Sequence, residues 1–157
     1  MGFIGTVFAS SIGFILARLV TGWFDAKFSK ASYLETERNS DVERAGRLID
    51  DITEAASNYW TTDITAILPT LQYQIPADIA ELGGITANLF VDSTNCLSAV
   101  QTDLDRFDDA ITAGEFGSAT RSQDFSKIQA IRTCGSTLKT QIRRQRRNLP
   151  PKWFDRR

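Results

Sequence analysis

The chain has 157 residues and no histidine. That absence excludes histidine-dependent nucleophilic triads and H-E-x-x-H metal sites. No glycine-rich loop precedes a Lys-Ser or Lys-Thr pair, and no C-x-x-C occurs, so phosphate-cradling and thiol-redox signatures are missing too. The expectation is a non-enzyme with no cofactor, no metal and no catalytic residues. There are only two cysteines, Cys96 and Cys134, which read as reduced, buried thiols on apolar stripes. No N-x-S/T sequon and no internal repeat is present.

Charge is missing from one place in particular. No charged side chain occurs from Met1 to Ala17, and Arg18 is the one charge in MGFIGTVFASSIGFILARLVTGWF. Seventeen helical residues reach about 26 Å, close to the roughly 30 Å hydrocarbon core of a bilayer. Arg18 sits where a long cationic side chain snorkels to headgroups. Trp23, Phe24, Lys27, Phe28, Lys30 and Tyr33 supply the aromatic and basic mix of a membrane interface. The stretch reads as a single transmembrane helix. A signal peptide would need a positive n-region and a small-x-small cleavage site, and neither is evident. A core helix would be long for so uncharged a run.

Within that run Gly5, Ala9, Gly13 and Ala17 recur every four residues, with Thr21 one step on and Thr6 and Ser10 beside them. Small residues let helix backbones approach closely, and the hydroxyls bond across the contact. A single span has nothing in its own chain to pack against, so the ladder predicts a homo-oligomer. Its small face is then the packing or pore-lining face. Glycine and alanine are also simply common in membrane helices, which is the plainer account of the same residues.

The formal net charge of −1 conceals a strong asymmetry. Ala31 to Asp124 carries 17 acids and 5 bases, whereas Phe125 to Arg157 carries 10 bases and one acid. Arg18, Lys27 and Lys30 flank the C-terminal end of the apolar run, so the positive-inside rule orients Met1 outward and the remainder toward the cytoplasm. The expected location is a bacterial inner membrane, crossed once.

After the interface, residues 35–40 (ETERNS) read as a break or a fraying helix end, and Ser40 with Glu43 has capping-box spacing. Val42, Ala45, Leu48 or Ile49, Ile52, Ala56 and Tyr59 fall at helical steps and predict an amphipathic helix from about Asp41 to Trp60. Asp51 and Glu54 lie off that stripe and should be solvated. Thr61-Thr62-Asp63 can restart a helix at Ile64, which Pro69 would bend or end.

Pro76 suits a helix start. From there Ile79, Leu82, Leu89, Phe90, Leu97, Val100, Leu104, Phe107 and Ile111 keep a helical step, with Gly83-Gly84 as a weak point and Gly114 as a stop. Residues 115–121 read as a loop. Ser122 is a candidate cap for the last helix, whose apolar stripe is Phe125, Ile128, Ile131, Leu138 and Ile142. The expected architecture is all-α: a transmembrane and interfacial segment over 1–33, a cytoplasmic bundle of three or four helices over 34–148, and a basic aromatic tail over 149–157.

Two charged groups remain. Asp103, Asp105, Asp108 and Asp109 cluster, as do Asp50, Asp51 and Glu54. Without EF-hand spacing they read as solvated helix faces. The basic end is the candidate ligand site: Arg132, Lys139, Arg143, Arg144, Arg146 and Arg147, with Trp153 and Phe154 beyond. Three readings stand. The arginines complement the helix dipole and pair with the acidic middle of the chain. They touch anionic lipid. They bind a polyanion such as a short single-stranded nucleic acid.

One span, no catalytic residues and a charged end give a layout that resembles the transmembrane effectors of bacterial anti-phage defence, of the Hailong type. The resemblance lies in architecture and assigns no residue. It implies a nucleotidyltransferase partner whose DNA oligomers bind the effector and control an ion-conducting membrane assembly. The expected function is therefore a ligand-gated homo-oligomeric channel or pore. The alternative is a membrane-anchored adaptor that recruits a protein through its helical domain.

Overall fold

The computed structural model describes the backbone of residues 3–63 and 70–149, and the side chains of 29–30, 32–63 and 70–149. Among the described residues the chain is all-α, with helices α1 (Phe3–Thr61), α2 (Thr70–Leu89), α3 (Thr94–Thr112) and α4 (Ser126–Asn148). Among the described residues, 38–149 belong to one compact unit, and α1 before Arg38 belongs to another. The packing below is that of the first unit.

The predicted membrane segment and its ladder of Gly5, Thr6, Ala9, Ser10, Gly13, Ala17 and Thr21 carry side chains outside the described residues. So do the helix restart at Ile64, Pro69 and the tail from Pro150. Among the described residues no helix is long and apolar enough to cross a membrane.

The core is a set of facing apolar stripes. α1 contributes Ala45, Ile49, Ile52, Ala56, Tyr59 and Trp60, spaced by three and four as one helix face requires. α2 adds Ile75, Ile79, Leu82, Ile85 and Leu89, α3 adds Cys96, Val100, Leu104, Phe107 and Ile111, and α4 adds Ile131, Leu138 and Ile142. Each such large side chain contributes about 1.5–3 kcal/mol on burial. An exposed ion pair such as Arg44–Glu81 contributes at most about 1 kcal/mol, so the apolar stripes hold the bundle. Cys96 is buried and Cys134 half-buried, both as free thiols. Asp51 and Glu54 are exposed, as their position off the stripe requires.

Several local expectations are corrected. Residues 35–40 continue α1 rather than breaking it, and the Ser40–Glu43 spacing does not start a helix. Tertiary contacts hold this polar stretch: Arg38 is 8% exposed and reaches Asp92 at 3.1 Å, and Asn39 accepts from Arg146 at 3.3 Å. Pro76 lies inside α2, which starts at Thr70. The proline is exposed, so the backbone carbonyl left without its N–H partner is within reach of water.

α2 runs unbroken through the weak point at Gly83-Gly84. The long run read through 89–97 is instead interrupted at 90–93, where Ser93 caps α3 by accepting from the Cys96 N–H at 3.4 Å. Gly114, at φ +84°, follows the end of α3 as expected. At α4, Asp124 and not Ser122 satisfies a first-turn donor, accepting from the Ser126 N–H at 3.0 Å. Phe125 is 64% exposed and does not join the stripe.

The loop between α3 and α4 wraps the C-terminal end of α1. Arg121 is 4% exposed, and its guanidinium lies 4.5 Å from the centre of the Tyr59 ring and 5.5 Å from that of Trp60. It donates to the Thr62 carbonyl at 2.8 Å, to Ser122 at 3.3 Å and to Trp60 at 3.5 Å. A cation on the last carbonyls of a helix opposes the negative end of its dipole and occupies acceptors that the helix cannot. The Tyr59 hydroxyl accepts from the Gly117 N–H at 2.8 Å, and Trp60 Nε1 donates to Ile111 at 2.9 Å. These contacts fix where α4 begins.

Candidate ligand-binding groove

α4 runs antiparallel to the part of α1 beyond Arg38. Arg146 meets Asn39, Lys139 meets Asp50, and Gly135 lies against Ile49 and Thr53. The close approach at Gly135 leaves an open groove along the seam of about 360 Å³. Its walls are Ile49, Asp50 and Thr53 from α1, and Arg132, Gly135, Ser136, Lys139, Thr140 and Arg143 from α4. It continues over Glu54, Ser57 and Asn58, again beside Arg132.

Helical spacing explains which basic residues converge. Positions 132, 139 and 143 are separated by seven and four residues, so they share one face of α4. The structure brings Arg132, Lys139 and Arg143 to the groove. Arg146 lies further along, on Asn39. Arg144 and Arg147 are exposed and outside the groove wall. The six predicted basic residues thus separate into a cluster of three and three others.

Their pairing differs as well. Lys139 Nζ donates to both carboxylate oxygens of Asp50, at 2.7 and 2.9 Å. This is the pairing with the acidic middle of the chain that composition suggested. Arg132 and Arg143 form no ion pair among the described residues, and both are exposed. Two unneutralised guanidiniums therefore flank a neutralised lysine, and they keep five N–H donors each for an anion.

The hydroxyls were not legible as part of a site. Thr53 donates to Ile49 at 2.7 Å, Ser57 to Thr53 at 2.7 Å and Thr140 to Ser136 at 2.9 Å, all through backbone carbonyls. Each hydroxyl proton is used within its own helix, so its free lone pairs present acceptors to the groove. Asp50 read as part of a solvated cluster, and only the packing of α4 makes it a wall residue.

Three of the four carboxylates from Asp103 to Asp109 are engaged locally: Asp103 with Arg106 at 3.1 Å, Asp105 with Gln101 at 2.8 Å and Asp108 with Thr112 at 3.3 Å. Among the described residues no group of three or more His, Cys, Asp or Glu side chains is placed to hold a metal ion.

Two titrating groups near the start of α4 are shifted. The Asp124 carboxyl sits below its ordinary value, chiefly because Ser126 hydrogen-bonds to the ionised form. Lys127 also sits below its ordinary value, because partial burial disfavours its charge more than Asp124 supports it. Its Nζ lies 3.9 Å from the centre of the Trp60 ring and donates to the Ala113 carbonyl. No family model, curated protein or solved structure matches this chain.

Proposed function

We propose that the chain is a single-pass membrane protein that self-associates into an ion-conducting channel, gated by an anionic ligand at the basic face of α4 and acting as an anti-phage effector. The convergence of Arg132, Lys139 and Arg143 on one groove, with both arginines free of ion pairs among the described residues, supports the ligand site. The uncharged run from Met1 to Ala17 and its four-residue ladder of small side chains support insertion and self-association. In this reading Gly5, Ala9, Gly13 and Ala17 pack copies together, and Thr6, Ser10 and Thr21 face a conducting axis. The basic flank orients the helical unit to the cytoplasm.

Purified protein in liposomes tests conduction: a channel dissipates an imposed potassium potential, whereas an adaptor leaves it untouched. Gly5→Leu and Gly13→Leu should convert the oligomer to monomers in detergent, since bulk at the contact prevents close approach. A gel shift with short single-stranded DNA tests the anion site, and retention of affinity in Arg132→Glu and Arg143→Glu would refute it.

A further inference from the structure

We infer that the groove between α1 and α4 recognises a phosphate monoester of a small hydroxyl-bearing molecule, of the nucleotide or sugar-phosphate kind. The inference rests on the reading that the basic face of α4 takes an anion, and it narrows that reading. The groove is two adjoining hollows of about 360 and 450 Å³ that share Asp50, Thr53 and Arg132, each within the range of ordinary ligand sites, about 300 to 1,000 Å³.

The donors and acceptors of the groove are sorted along its length. Lys139, Thr140 and Arg143 stand toward one end. Glu54, Ser57 and Asn58 stand toward the other, with Arg132 beside them. Lys139 and Arg143 are one helical turn apart, about 6 Å along the axis, a spacing that one phosphoryl group spans with separate oxygens. The opposite end offers the Glu54 carboxylate and the Ser57 lone pairs as acceptors, beside the Asn58 amide and the Arg132 guanidinium. A second phosphate there would meet two carboxylates, Glu54 and Asp50, against the single guanidinium of Arg132. A hydroxyl or amino group would be bonded instead. An extended polyanion is thereby disfavoured along the full groove, and a ligand with one anionic end fits it.

Asp50 has a defined part in this arrangement. Its ion pair with Lys139 neutralises one of the two cations that the phosphoryl group needs. An incoming phosphate must compete with a tethered carboxylate, so Asp50 lowers affinity for every anion. Its removal frees Lys139 and also removes a repulsive charge from the groove wall.

The test uses the full chain in detergent, titrated by calorimetry with adenosine 5′-monophosphate, glucose 6-phosphate, adenosine and inorganic phosphate. One of the two esters should bind at least about tenfold tighter than its dephosphorylated form and than inorganic phosphate. Arg143→Ala and Lys139→Ala should each weaken that ester about tenfold or more. Glu54→Ala should weaken the ester and leave inorganic phosphate unchanged, and Asp50→Asn should tighten both. Far-UV circular dichroism confirms that each variant is folded, and Arg106→Gln, on α3, should bind as the parent does.

Binding of neither ester overturns the inference, as does binding that ignores Lys139→Ala, Arg143→Ala and Asp50→Asn. Single-stranded DNA binding through Arg132 and Arg143, with neither ester bound, also overturns it and leaves the broader anion reading standing. Ester binding by a protein that passes no ions supports the inference and removes the channel.

Discussion

A Cβ placed on Gly135 of α4 would stand 2.9 Å from the hydroxyl oxygen of Thr53 on α1, with Phe107 and Ile49 at 3.2 and 3.3 Å. The missing side chain at 135 is what lets α4 seat this deeply on α1. The same contact forms the floor of the groove, because residues 132, 136, 139 and 143 are set around it.

Gly135→Ala should therefore destabilise the bundle by about 1–3 kcal/mol, the range for overfilling a packed contact, despite alanine's better helix propensity. Urea unfolding followed by circular dichroism measures it. Gly84 is the control. A Cβ there meets nothing within 4 Å, and the residue is exposed in the interior of α2, so Gly84→Ala should stabilise by about 0.5–1 kcal/mol.

Arg121 should be among the most sensitive charged positions. Replacing it with methionine keeps much of the volume but removes the donor to the Thr62 and Ser122 carbonyls, while the Trp60 carbonyl keeps the Asp124 N–H at 2.9 Å. A loss of about 1–3 kcal/mol is expected, since the charge-assisted bond to Thr62 and the stacking on Tyr59 and Trp60 are lost. Arg121→Lys should recover only part of it, because an ammonium cannot span three carbonyls and two rings as a planar guanidinium does. Chemical unfolding of the two variants in parallel checks this.

The Asp124 carboxyl has a lowered folded-state value, so its stabilising effect is complete above the ordinary carboxylate value of 3.8 and is lost as pH falls through the folded value. Asp124→Asn should have a lower melting temperature than the parent at neutral pH. The gap should close as pH drops below 3.8. Thermal melts across an acid series read the convergence.

Lys127 responds to pH in the same direction, in an alkaline window. Its folded-state value lies below the ordinary 10.5, so the unfolded chain holds this proton more firmly in the window just beneath that pH. The contribution of Lys127 to stability therefore rises with pH there. Against Lys127→Met, the parent should gain relative melting temperature as pH climbs toward 10.5. A gap that narrows would contradict the assignment of burial as the main cause.

Arg132→Glu and Arg143→Glu should change stability by less than about 0.5 kcal/mol, the usual range for surface substitutions. Both arginines are exposed and unpaired among the described residues. Each should nevertheless weaken anion binding strongly. Equal unfolding midpoints with unequal anion affinities would separate a ligand role from a structural one.

Much of the helical bundle could be read along the chain because it rests on local periodicity. Ala45, Ile52, Ala56 and Tyr59, and then Val100, Leu104, Phe107 and Ile111, recur at the helical step and are all buried. What misled the reading were places where the step continues but the helix does not. Leu89, Phe90 and Leu97 keep the apolar rhythm across the break at 90–93, and only the Asp-Ser-Thr-Asn run marks the cap. The reverse error occurs at residues 35–40, where polar residues suggest an end and contacts from Asp92 and Arg146 keep the helix going.

The basic site was half legible for the same reason. A shared face of Arg132, Lys139, Arg143 and Arg146 follows from spacing alone. That three of these line a groove, that Arg146 stands on Asn39, and that Asp50 claims Lys139 depend on α1 and α4 meeting at Gly135.

The amino-acid order by itself determined which faces of the helices are apolar, where cations accumulate and that Met1 to Ala17 is uncharged, because each is a property of neighbours within a few turns. The tertiary structure alone decided which α1 residues face those cations, which cation is already neutralised, and that Arg121 closes the end of α1. Those pairings join positions 59 to 107 residues apart. No local pattern records them, because they arise only when packing removes the alternatives.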